Sequence, residues 1–222
     1  MDLSAPVDLY CERLGPGLFA EPLNALSNLA FLGASAWLLL LRPGADSSPW
    51  YGRVLAVLLF LIGLASLSFH LFATVGTEML DVLSIALFIY CFVACFFRRH
   101  LGWPWWLAVL AMPAFAGFSR LLEMPFAKGA LNGSVSYLPP IAALLLMALA
   151  LLATKRPGGG KLAAAAAIFL VSLTLRTMDQ AWCLKLPIGT HWMWHGLNAV
   201  TLLLVTLSLD RPAPPDSAGA AT

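Results

Sequence analysis

Charged and apolar positions in this chain fall in blocks. Residues 22–41 contain no charge, and neither do residues 54–77. After Asp81 the run 82–97 is apolar, and 101–119 and 129–154 follow. A weaker stretch, 162–184, carries Arg176 and Asp179 in its second half, whereas 186–209 lacks Asp, Glu, Lys and Arg but holds two histidines. A helix needs about 20 mostly apolar residues to cross a bilayer. The pattern therefore predicts seven spans, at about 22–41, 54–73, 80–97, 101–119, 135–154, 162–180 and 190–209.

The breaks fall at Arg42-Pro43-Gly44, Arg98-Arg99-His100, Lys155-Arg156-Pro157-Gly158-Gly159-Gly160 and Asp210-Arg211-Pro212. Glycine and proline end helices, and basic residues mark loops. The connections are short, so a single seven-helix membrane domain is expected over 1–211. The Pro/Ala/Ser-rich tail, 212–222, is expected to be disordered.

Composition agrees with that pattern. Of 222 residues, 60% are hydrophobic and 11% charged, and mean hydropathy is +0.84. Soluble domains carry about 25% charged residues, so a soluble globule and a disordered chain are both excluded. A net charge of +2 gives no reason to expect a nucleic-acid partner. Residues 1–22 lack the basic start and apolar core of a cleaved signal peptide, so retention of the N-terminus is expected. With seven spans, Arg42, Arg53, Arg98, Arg99, Lys155, Arg156, Lys161 and Arg211 share one side. Arg13, Arg120, Lys128, Arg176 and Lys185 lie on the other. The richer side is expected to be cytoplasmic, which puts the N-terminus outside and the C-terminus inside.

Ionisable groups inside apolar spans are costly and mark function. His100 lies in a basic loop. His191 and His195, four apart in His191-Trp192-Met193-Trp194-His195, stack on one face of a predicted helix. His70, near the outer end of the second span, falls at a similar depth on the same side. Three neutral imidazoles plus water form the ligand set of a catalytic zinc site. Ser66 precedes His70 by one helical turn, and Asp81 is read as opening the third span across a short loop. A carboxylate beside a metal-bound water acts as general base, and a hydroxyl stabilises an oxyanion. Each residue alone has an ordinary packing or capping role open to it; five of them from three spans at one depth point to a metal site.

Asp8, Glu12 and Glu21 cluster before the first span, with Asn24 and Asn28 following on it. Hard oxygen ligands in a short loop suit calcium, and a solvated acidic loop accounts for them equally well. Arg120/Glu123 and Arg176/Asp179, at i, i+3 spacing, are expected to form local salt bridges. Cys11 and Cys183 fall on the outer side, where an oxidising compartment permits a bridge. Cys91 and Cys95 read as small apolar packing inside the third span.

Taken together, Tyr10-Cys11-Glu12, Ala20-Glu21-Pro22-Leu23-Asn24, Ser66-Leu67-Ser68-Phe69-His70, Asp81 and His191-Trp192-Met193-Trp194-His195 give the chain a known look. It resembles a bacterial member of the alkaline ceramidase family, within the superfamily of seven-span hydrolases that includes the adiponectin receptors. The resemblance runs from about Asp8 to Asn198. It implies zinc on His70, His191 and His195, with Ser66 and Asp81 as the other catalytic residues. It also implies a calcium site near the N-terminus, involving Asp8, Glu12 and Glu21, and a Cys11–Cys183 disulfide. The animal enzymes carry an aspartate where this chain has Leu9 and an asparagine where it has Leu14.

The function expected from these residues is zinc-dependent intramembrane hydrolysis of the N-acyl bond of a ceramide-like lipid, in a bacterial inner membrane with the site toward the outer side. The alternatives are a seven-helix receptor or sensor with a structural zinc, and a proton-coupled transporter.

Overall fold

The computed structural model describes residues 2–42, 49–127 and 129–210. The tail read as disordered, 212–222, lies outside the described residues, as do Lys128, Arg211 and the break read at Pro43-Gly44.

Seven long helices follow one another among the described residues. They are α1 (Pro22–Leu41), α2 (Trp50–Phe72), α3 (Val75–His100), α4 (Trp105–Glu123), α5 (Leu138–Ala153), α6 (Gly159–Trp182) and α7 (His191–Leu207). A 3-10 segment, Ala130–Tyr137, leads into α5. The first six, with that lead-in counted into α5, are long and apolar enough to cross a membrane. The seventh, α7, has 17 residues.

Helix starts follow local chemistry. Pro22 occupies the first turn of α1, where its missing N–H costs nothing. Thr74 caps α3, its hydroxyl accepting from the Thr77 N–H while the Thr77 hydroxyl accepts from the Thr74 N–H. That cap sets the start of α3 at Val75, so Asp81 lies in its second turn and does not open it as expected. Gly102, at φ +71°, and Pro104 break the chain before α4, which begins four residues beyond the predicted 101.

Consecutive helices pack side by side, and α7 closes the ring against α1 and α2. Phe31, Leu55, Leu59, Ile62, Phe88 and Leu162 are buried in the shared core. Leu40, Leu61, Leu83, Leu110, Leu146 and Leu170, one on each of the first six helices, are exposed. An apolar outer surface of this kind suits lipid.

Opposite ends of the bundle are built differently. At one end the N-terminal segment lies across the α2–α3 turn: Val7 N–H donates to the Ala73 carbonyl at 2.8 Å, and Val75 and Gly76 donate to Ala5 and Leu3 at 3.0 and 2.9 Å. A disulfide joins Cys11 to Cys183 with 5.3 Å between their Cα atoms. At the other end, cations meet the C-terminus of α7. Arg99 donates to the Leu209 and Asp210 carbonyls at 2.9 and 2.8 Å, Lys161 donates to the Leu207 carbonyl at 2.9 Å, and Arg42 pairs with Asp210. Such charges complement the helix dipole.

Candidate metal centre

His70 lies in the last turn of α2, and His191 and His195 in the first two turns of α7. All three are buried. Each offers one ring nitrogen, and these atoms all lie within 4.8 Å of one another.

The neighbours of the imidazoles fix their tautomers. His70 Nδ1 sits 2.6 Å from Glu21 Oε2. A carboxylate only accepts, so the proton is on His70 Nδ1. His195 Nδ1 sits 2.7 Å from Ser27 Oγ, whose own hydroxyl donates to the Asn24 carbonyl at 2.8 Å. Ser27 Oγ therefore accepts, and the proton is on His195 Nδ1. Both Nε2 atoms then present lone pairs, and they face each other at 3.2 Å. Two lone pairs at that distance have no proton to share, and a cation bound to both removes the conflict. Ligating histidines characteristically use their second nitrogen in this way. His191 adds a buried Nδ1 with no hydrogen-bond partner. The three side chains thus fit a metal ion.

Asp179 positions His191. Its carboxylate accepts from the backbone N–H groups of Thr190 at 2.6 Å, His191 at 2.9 Å and Cys11 at 3.0 Å. It thereby satisfies orphan donors at the start of α7 and ties the N-terminal segment to it. Gly189, at φ +63°, makes the turn possible; a Cβ there would run into the Asp179 carboxylate and stand 2.8 Å from Cys11 Cβ. Tyr10 then stacks on His191, with ring centroids 3.6 Å apart. Burial pushes the Tyr10 phenol above its ordinary pKa.

Ser66 is buried one turn before His70. It reaches the Asp81 carboxylate, which also lies within electrostatic range of His70, Arg176 and Glu78. Asp81 Oδ1 is buried and has no hydrogen-bond partner. The structure thus brings Ser66 and Asp81 together, with Asp81 in electrostatic range of His70.

The proposed calcium ligands are not gathered together. Asp8 is exposed. Glu12 accepts from the Leu23 and Asn24 N–H groups at 2.7 and 2.8 Å, capping α1. Glu21 is held by His70, by Asn24 Nδ2 at 3.0 Å and by Arg13 Nε at 2.5 Å. Burial works to raise the Glu21 carboxyl, but its hydrogen bonds with His70, Asn24 and Arg13 hold it below its ordinary value. Arg13 also donates to the His70 carbonyl at 3.0 Å. The chain's own guanidinium supplies the cation there, and the residues do not fit a calcium cage. Among the described residues the histidine trio is the one metal-ligating group of three or more.

The expected Arg120–Glu123 and Arg176–Asp179 salt bridges are absent among the described residues. Asp179 is turned toward α7, and Arg176 toward Asn132 and Ser134. Arg13, Ser27 and Tyr10 acquire positioning roles that sequence reasoning missed. The signal available was polar spacing: Asn24, Ser27 and Asn28 recur on one side of an otherwise apolar helix.

A cavity of about 420 Å³ opens beside Tyr10, lined also by Glu78, Val82, Ile85, Tyr137 and Arg176. It shares Ile85, Ile89 and Tyr137 with a narrow apolar cleft of about 60 Å³ that runs on past Phe88, Asn198 and Thr201. No protein-family model matches this chain, and no curated protein matches it.

Proposed function

We propose that this protein is a zinc-dependent amidase of the membrane, hydrolysing the N-acyl bond of a ceramide-like lipid to a free fatty acid and a long-chain base. One observation carries the proposal: the Nε2 atoms of His70 and His195 face each other at 3.2 Å, and Asp81, within electrostatic range of His70, has a buried Oδ1 with no partner. Three neutral imidazoles suit zinc. A zinc ion held there supplies Lewis acidity toward an amide carbonyl and brings the pKa of water down to about 7. Glu21 and Ser27 hold the His70 and His195 rings with Nε2 toward the centre. Asp81 Oδ1, free to accept, takes the proton of the attacking water and returns it to the leaving amine. Ser66 turns its hydroxyl to the carbonyl oxygen as charge develops there. The apolar walls at Val82, Ile85 and Phe88 receive lipid chains and keep bulk water out.

We read α7 as a seventh span and the N-terminus as outside. The eight Lys and Arg assigned to the cytoplasmic side outnumber the five assigned to the outer side, which supports that orientation. The resemblance to alkaline ceramidases points to the same site residues.

The test is fatty-acid release from a panel of N-acyl lipids by detergent-purified protein, with zinc content, for wild type and His195→Ala. Zinc-dependent release that is lost in the variant supports the amidase. Stoichiometric zinc with no release from any lipid overturns it in favour of a receptor with a structural zinc.

A further inference from the structure

Arg176 projects from α6 and is half-buried. Its Nη1 donates to the Asn132 carbonyl at 3.0 Å and to Ser134 Oγ at 2.8 Å. Its Cζ lies 5.1 Å from the Tyr137 ring centroid and 5.8 Å from that of Trp194. No carboxylate among the described residues forms an ion pair with it. A guanidinium has five N–H donors, and the two on Nη1 are taken. The Tyr10 and Tyr137 phenols hydrogen-bond to the group as well. An arginine in an apolar span is costly unless it serves a function.

The guanidinium lines the 420 Å³ cavity together with both phenols and Asn132. Val82, Ile85 and Ile89 form apolar wall, and Glu78 supplies a carboxylate at the same cavity. Tyr10 connects this group to the metal centre, because its ring stacks directly on His191. The cavity therefore offers a cation and two phenol hydroxyls one aromatic ring away from the histidines. That combination of charge and hydroxyl donors matches a carboxylate, which takes charge-assisted hydrogen bonds.

We infer that Arg176, with the phenols of Tyr10 and Tyr137, binds a carboxylate on the amine part of the substrate, so that the preferred lipid is an acidic N-acyl lipid of the N-acyl amino acid type. This rests on the amidase proposal for the same site and takes the amine part to be an amino acid in place of the long-chain base of a ceramide. The acyl chain lies along Val82, Ile85 and Ile89, and the amide falls between Arg176 and the histidines. Glu78, the other charged group lining the cavity, accepts from hydroxyl or amine groups of the same head.

The experiment measures binding, so that it stands apart from turnover. Full-length Ser66→Ala protein in detergent is titrated with N-palmitoyl serine, with its uncharged methyl ester and with palmitate. The acid is expected to bind about tenfold or more tightly than the ester, a difference of one charge-assisted hydrogen-bond pair. Adding Arg176→Gln should abolish the preference, and Arg176→Lys should keep part of it. Where the glutamine variant does not fold, the acid–ester comparison still decides. Tyr10→Phe, which removes one hydroxyl, should weaken the acid and leave the ester unchanged. Equal affinity for acid and ester overturns the inference. Palmitate bound as tightly as N-palmitoyl serine overturns the assignment of the anion to the amine part. Wild-type turnover is measured on the same lipids. An acid preference without turnover removes the amidase and leaves the anion site, whereas turnover without preference does the reverse.

Discussion

Glu21 bridges two partners of opposite consequence: its Oε2 lies 2.6 Å from His70 Nδ1, and its Oε1 lies 2.5 Å from Arg13 Nε. One buried carboxylate thus orients an imidazole of the candidate metal centre and is itself held by a guanidinium. Replacing such a partner of a metal ligand typically costs about 10–100-fold in metal affinity. Glu21→Gln should lower zinc affinity by that factor while the fold persists, as read by competition with a chromophoric chelator.

Arg13 occupies the space between Glu21 and the His70 carbonyl. A calcium ion has no carboxylate cage to enter there, since Glu12 caps α1 and Asp8 is exposed. Neither added calcium nor a calcium-selective chelator should move the melting temperature. Arg13→Gln should lower it, because it leaves the Glu21 carboxylate buried without its cation.

Asp179 accepts three backbone N–H groups, from Cys11, Thr190 and His191. Asp179→Ala leaves all three donors buried without an acceptor, each costing about 1–3 kcal/mol. A loss of roughly 3 kcal/mol or more is expected in denaturant unfolding of the detergent-solubilised protein. Asp179→Asn keeps one oxygen for Thr190 and His191 and should lose less.

Asp81 carries the proton transfers in the proposed reaction. Asp81→Asn is expected to retain zinc while hydrolysis falls about 10²–10⁴-fold, the range for a removed general base. Initial rates and metal content measured on one preparation separate the two effects.

Much of this was legible from the arrangement of charge along the chain. Uninterrupted apolar runs marked the helices, since the runs beginning at Pro22 and ending near Phe72 needed no tertiary information. The histidine cluster was legible because His191 and His195 are one turn apart and His70 lies in an apolar run at the same end. Boundaries were less so: the fourth helix starts at Trp105 because Gly102 and Pro104 break the chain, which hydropathy does not register. The pairing of Asp179 and Arg176 was misjudged for a different reason. Spacing of i, i+3 describes neighbours on one helix, whereas each side chain finds its partners on other segments. Arg13 was counted as a loop charge, and only the folded N-terminal segment brings it against Glu21.

The most direct test of the account is the metal content of full-length protein purified in detergent without chelator, beside His70→Ala, His191→Ala and His195→Ala. The facing Nε2 atoms of His70 and His195 predict one zinc per chain in wild type and its loss in each variant. Wild-type protein that is metal-free and takes up no zinc at equimolar addition would contradict the account.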